Sequence, residues 1–243
     1  MTMDEQIALA ERLDGAGWGV ISPHQYLIDI EPEFLEVWNR IAPYSMTSVE
    51  RAYALYGAVC HLEDRAIAGD FVECGVWRGG SCMLMAQVLL ARGNAYRDIH
   101  LFDTFTGMTE PTDEDRIAWN GKSVRERFKR FDSWAVDLPE VERNLGLTRY
   151  PSERLHFVKG DVLETLDGEV PERIALLRLD TDWYESTRKE LETLYPALVS
   201  GGILILDDFG HFEGARKAVE DYFANRPRPF LTRVDYTGRV GIK

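Results

Sequence analysis

The stretch Asp70-Phe71-Val72-Glu73-Cys74-Gly75-Val76-Trp77-Arg78-Gly79-Gly80-Ser81 decides the fold. Residues 70–76 read as a short apolar strand. The Gly79-Gly80-Ser81 turn leads into a helix from Cys82 to about Arg92, closed by Gly93. The next strand is predicted over Asp98–Asp103, and strands resume at Leu155–Lys159, Ile174–Leu179 and Gly202–Leu206. Amphipathic stretches at about Glu185–Leu198 and Glu213–Ala224 separate them, the alternation of a mostly parallel α/β sheet. The tail, Phe230–Tyr236, Gly238 and Val240–Lys243, reads as a closing hairpin. Residues 105–150 are polar and aromatic, with helical pieces such as Val124–Phe131. They are too many for a simple connection and are expected to form a lid.

Upstream, residues 1–66 read as a helical region. Pro32 stands at an early helical position, and Phe34, Val37, Trp38 and Ile41 form one apolar face. Thr47-Ser48-Val49-Glu50 matches a capping box, from which a helix runs to about Leu62. The boundary between this region and the sheet domain is placed at 66/67.

The chain has 243 residues, 45% hydrophobic and 28% charged, with a formal charge of −13. That charge repels a phosphate backbone, so nucleic acid is not the expected partner. No apolar run is long enough for a membrane span and the N-terminus lacks a signal pattern, so a cytoplasmic location is expected. Cys60, Cys74 and Cys82 form no CxxC, and none of the five histidines pairs with a cysteine at zinc-ligand spacing.

The glycine turn lacks the G-x-G-x-x-G spacing of a dinucleotide loop, which weighs against a nicotinamide-dependent oxidoreductase. Glu73, just before Gly75, would repel a pyrophosphate but suits a ribose hydroxyl or a cationic ligand. Asp103, at the next strand end, can accept from both ribose hydroxyls, and Asp161 after the third strand from an adenine amine. S-adenosylmethionine carries a ribose, an ammonium and a sulfonium, and no phosphate. The start of the helix after Met46 offers free N–H groups to the cofactor's carboxylate.

The most informative strings are Leu179-Asp180-Thr181-Asp182-Trp183-Tyr184-Glu185-Ser186-Thr187 and Leu206-Asp207-Asp208-Phe209-Gly210. Each ends an apolar strand in two aspartates. Neighbouring parallel strands lie about 4.8 Å apart, so three or four carboxylates meet at one point. Mg²⁺ or Mn²⁺, with oxygen ligands at about 2.0–2.1 Å, would relieve the repulsion. Helix capping explains one aspartate per strand end but not two doublets. Asp182 is the candidate general base, with His211 as a rival and a helix N-cap as the plainer role for Asp182.

With Tyr44-Ser45-Met46-Thr47-Ser48-Val49-Glu50-Arg51, Asp103-Thr104-Phe105-Thr106-Gly107-Met108 and Gly214-Ala215-Arg216-Lys217-Ala218-Val219, these strings resemble the macrocin O-methyltransferase family, the TylF, MycF and NovP type, over nearly the whole chain. The resemblance implies a Rossmann-like class I methyltransferase fold: a seven-stranded, mostly parallel sheet, its last strand antiparallel, with an N-terminal helical cap. It implies Asp180, Asp207 and Asp208 as metal ligands and Asp182 as base. It places Met46, Thr47, Glu73, Gly75, Ser81, Asp103 and Asp161 around S-adenosylmethionine. The implied acceptor is a sugar hydroxyl of a glycosylated natural product, in antibiotic biosynthesis, although a catechol-like diol would use the same chemistry. A non-catalytic S-adenosylmethionine-binding relative is the remaining alternative. Exposed apolar residues of the N-terminal helices are a candidate homo-oligomer contact. Thr181 and Phe209 depart from the family's usual glycine and tyrosine, and both bear on the acceptor side.

Overall fold

The computed structural model describes residues 3–19, 29–125, 128 and 134–243. The chain divides into two compact units, 1–36 and 37–243. The first contains helix α1 (Met3–Gly15). Helix α2 (Pro32–Ile41) begins at the predicted proline and crosses the boundary between the units, and its Val37 and Ile41 are buried.

The second unit is built on strands β1 (Asp70–Cys74), β2 (Ile99–Asp103), β3 (Leu155–Lys159), β4 (Ile174–Leu179), β5 (Leu198–Leu206), β6 (Leu231–Arg233) and β7 (Arg239–Ile242). They form one seven-stranded sheet in the order β3-β2-β1-β4-β5-β7-β6. β1 to β5 pair in parallel, and β7 is antiparallel to both β5 and β6. The last strand is therefore the reversed one, as expected. Its helices are α3 (Val49–Asp64), α4 (Gly80–Ala91), α5 (Leu138–Gly146), α6 (Val162–Thr165), α7 (Tyr184–Leu194) and α8 (Glu213–Phe223). β4 is buried along its whole length, which explains its near-continuous apolar run.

Three boundaries differ from the sequence reading. Ser48, not Thr47, caps α3, its hydroxyl accepting from Arg51 N at 3.2 Å. α7 stops at Leu194 because Pro196 lacks an N–H and is carried by a short 3₁₀ turn (Tyr195–Ala197). β5 then starts at Leu198, four residues before the expected Gly202. The expected helical piece Val124–Phe131 falls largely outside the described residues.

The strand tips are level. Cys74 pairs with Phe102 and with Leu179, and Leu179 pairs with Leu206. The ladder continues one residue further, with Gly75 N bonded to Phe102 O, Asp180 N to Cys74 O, Asp207 N to Leu179 O and Gly160 N to Asp103 O, all at 2.9–3.0 Å. Residues 160, 103, 75, 180 and 207 thus follow one another along a single sheet edge. The strand order reverses at β1 and β4, the place where open α/β sheets bind their ligands.

Candidate active site

A cavity of about 380 Å³ opens above that edge. The cofactor, metal and base candidates all line it: Met46, Thr47, Glu73, Gly75, Ser81, Asp103, Asp161, Asp180, Asp182, Asp207, Asp208 and His211, as does Thr181. Phe209, expected on the acceptor side, does not, and instead packs against the core with the Arg216, Arg228 and Arg239 guanidinium groups over its ring. Trp134 and Val136 add walls from the insert.

One half is shaped by the glycine turn. Gly75 has φ +82°, and a Cβ there would lie 2.0 Å from Asp180 O, so no side chain fits. At Gly80 a Cβ would lie 2.5 Å from Tyr44 O, and its absence lets the segment leading to Met46 cross the start of α4. Asp103 clamps the turn: one oxygen accepts from Val76 N (2.6 Å) and Trp77 N (3.1 Å), the other from Phe105 N (2.7 Å). Asp161 caps α6 through Leu163 N at 2.9 Å and also lines the cavity. The Thr47 hydroxyl is buried without a partner.

The other half is acidic. Asp180, Asp207 and Asp208 each offer an oxygen within 4.8 Å of the others. Asp208 Oδ2 is buried and unpartnered, a position that a hard cation fits better than a hydrogen-bonded side chain does. Burial drives the Asp180 and Asp208 carboxyls well above the ordinary range. Arg178 opposes the rise at Asp180, whereas Asp182 adds to it at Asp208. Asp182, with φ +68°, is pushed up to about 8 by burial and then by Asp180. The capping alternative for Asp182 does not hold, because Trp183 is the N-cap residue of α7 and Asp115 of the insert accepts from Tyr184 N at 2.8 Å. His211 is held below its usual range by burial and by Arg51, and its Nδ1 lies 2.8 Å from the Tyr236 hydroxyl.

Two arginines within this cluster received no role from the sequence. Arg178, 3% exposed, contacts Glu73, Asp180 Oδ2 (2.6 Å) and Asp207 Oδ1 (2.6 Å). Arg51 from α3 reaches Asp207 Oδ2 and, at 3.1 Å, Asp235. Glu73 is therefore an ion-pair partner at the cavity floor, which also accepts from Cys82 Sγ at 2.7 Å. The available signal was a lone charge in the apolar string Leu177-Arg178-Leu179, on the same strand face as Asp180. Glu190, on α7, was also missed. It is fully buried, accepts from Thr181 Oγ1 at 2.9 Å, and burial pushes it up to about 8.

A strand-tip cavity with a non-phosphate glycine turn at one end and a carboxylate cluster at the other narrows the comparison with known proteins. Residues 36–240 match the macrocin-O-methyltransferase (TylF) family. The chain belongs to that family. A Streptomyces olivaceus relative, 8-demethyl-8-(2,3-dimethoxy-alpha-L-rhamnosyl)-tetracenomycin-C 4'-O-methyltransferase, is 34% identical over 195 residues, covering 80% of this chain and 73% of the relative. The demethyldecarbamoylnovobiocin O-methyltransferase of Streptomyces niveus is 34% identical over 181 residues, 74% of this chain and 68% of the relative. The solved structure of the O-methyltransferase NovP superposes with a TM-score of 0.74 at 30% identity, covering 82% of each chain. This macrocin-type protein is thus an S-adenosylmethionine-dependent O-methyltransferase, which sets aside both the oxidoreductase and the non-catalytic alternative. Among its described residues no helix is long and apolar enough to cross a membrane.

Proposed function

We propose that this macrocin-type enzyme methylates a sugar hydroxyl of a glycosylated natural product with the help of a divalent cation, Mg²⁺ or Mn²⁺. The observation that carries the reading is the set of Asp180, Asp207 and Asp208 oxygens within 4.8 Å of one another, beside Asp182 and in the same cavity as the glycine turn. The rhamnosyl group in the name of the Streptomyces olivaceus relative supports the acceptor class.

Met46, Thr47, Glu73, Gly75, Ser81, Asp103 and Asp161 form the cofactor half. Asp103 and Asp161 offer acceptors to the ribose and adenine, and the free Thr47 hydroxyl and the start of α3 face the carboxylate. Asp180, Asp207 and Asp208 hold the cation. When bound, it supplies positive charge that polarises the acceptor hydroxyl and stabilises charge developing on that oxygen. Arg178 and Arg51 orient Asp180 and Asp207 from behind. Asp182 takes the hydroxyl proton as the oxygen attacks the sulfonium methyl. The S–CH₃ bond breaks, its electrons stay on sulfur, and S-adenosylhomocysteine leaves. Residues 44–51 of the expected 1–66 cap close the cofactor half, and the 105–150 insert acts as the lid.

The test pairs Mn²⁺ binding, followed by electron paramagnetic resonance, with methyl transfer from labelled S-adenosylmethionine to a panel of glycosides. Asp180→Ala is expected to lose Mn²⁺ binding and transfer while staying folded. Full wild-type transfer in excess EDTA would remove the cation from the reading.

A further inference from the structure

Exposed rings gather beside the acidic end of the cavity. Trp119 is 62% exposed and Tyr236 53% exposed. Neither stands on a free loop. The backbone leading to Trp119 is zipped onto the chain that leaves Asp208: Ala118 N donates to His211 O at 2.9 Å, Glu213 N to Arg116 O at 2.8 Å, and Ile117 bridges Phe212 antiparallel. The return is fixed by Ile117 N to Lys122 O (3.0 Å) and Gly121 N to Ile117 O (2.8 Å). The Trp119 ring meets His211 edge-on, with centroids 4.8 Å apart, and His211 Nδ1 bonds to Tyr236. His211 and Tyr236 line the cavity, and His211 N is bonded to Asp208 O at 3.0 Å. The three rings therefore form one wall running from the acidic cluster outward.

An indole held rigidly in water forgoes the large apolar burial that tryptophan usually provides, unless a ligand covers it. On the reading above, the cavity takes the cofactor at its glycine turn and the reacting sugar at its acidic end. Whatever the sugar is attached to then extends past His211 and Tyr236 toward Trp119, which adjoins the cavity through His211. We propose that Trp119, with His211 and Tyr236, is a specificity subsite that stacks against a flat aromatic ring carried by the sugar. The preferred acceptor class is thus a glycoside with an aromatic aglycone. The inference rests on the reading that the sugar hydroxyl sits at the acidic cluster.

The probes are 4-nitrophenyl α-L-rhamnopyranoside and methyl α-L-rhamnopyranoside, rhamnose being the sugar in one relative's name. Each is titrated calorimetrically into the full chain with S-adenosylhomocysteine and Mg²⁺ present, and each is also offered as a methyl acceptor. The wild type is expected to bind the aromatic glycoside about three- to tenfold more tightly, the worth of one aromatic stack. Trp119→Ala is expected to abolish that preference while leaving the methyl glycoside and S-adenosylhomocysteine affinities within about twofold. Trp119→Phe is expected to restore most of it. Equal affinities in the wild type, or a preference that survives Trp119→Ala, overturns the subsite. The sugar-methylating reading then still stands if both glycosides are methylated. Failure to bind or methylate either glycoside overturns both.

Discussion

Replacing Glu190 by glutamine tests the electrostatics beneath the acidic loop. Glu190 is fully buried, and its Oε1 accepts from Thr181, the residue between Asp180 and Asp182. Its Oε2 has no partner. Burial lifts the carboxyl from 4.5 to about 8. Between these values the unfolded chain loses the proton and the folded chain keeps it. The unfolded state then binds fewer protons, so stability falls as pH rises and the loss is complete above pH 8. At about 1.4 kcal/mol per tenfold change in proton activity, the cost is about 1 kcal/mol at pH 5 and about 4–5 kcal/mol at pH 8.5. Glutamine keeps the acceptor for Thr181 and has nothing to ionise. In urea unfolding at the two pH values, the stability of Glu190→Gln relative to the wild type is expected to improve by about 3–4 kcal/mol from pH 5 to pH 8.5. Every other titrating group is common to both proteins and cancels. A difference constant to within about 1 kcal/mol would show that Glu190 is already ionised in the fold, and the argument would fail.

Three further outcomes are expected. Arg178→Met strands the buried Glu73 and Asp207 carboxyls and the partly buried Asp180, and is expected to cost about 3–5 kcal/mol, a drop of about 6–20 °C in melting temperature, partly recovered by Arg178→Lys. A shift of a degree or two would show that Arg178 is not their counter-ion. Gly75→Ala is expected to cost more than the roughly 1 kcal/mol strain of the matched Gly93→Ala. Gly93 has φ +70° with open space around it, whereas a Cβ at Gly75 meets Asp180 O, so equal losses in chemical denaturation would refute the clash. Asp103→Ala is expected to loosen the turn and weaken S-adenosylhomocysteine binding in calorimetry, and unchanged affinity would remove Asp103 from the ribose.

The sheet and its ligand-bearing edge were legible because apolar strands ending in glycine or aspartate carry their own punctuation. Asp180, Asp207, Asp103 and Gly75 each sit at a strand end that periodicity locates, and level register then brings them together. What escaped depends on distant packing. Arg51 and Asp235 meet only because α3 lies against the tail, a relation no local pattern encodes. Asp115 displaced Asp182 as the acceptor for Tyr184 N from within an insert that shows no period. Glu190 looks like any helical glutamate until α7 turns it inward. Pro196 was visible, but whether it ended a helix or was absorbed in a 3₁₀ turn was decided by where β5 had to start.

The absence of a side chain at Gly75 has one more consequence. Its backbone lies directly against the Asp180 carbonyl, and Asp180 N is bonded to Cys74 O, so the two loops are in mechanical register. A ligand that shifts one by a fraction of an ångström must shift the other. If the acidic cluster holds the cation proposed above, its affinity and the donor's are thermodynamically linked, each raising or lowering the other by the same factor.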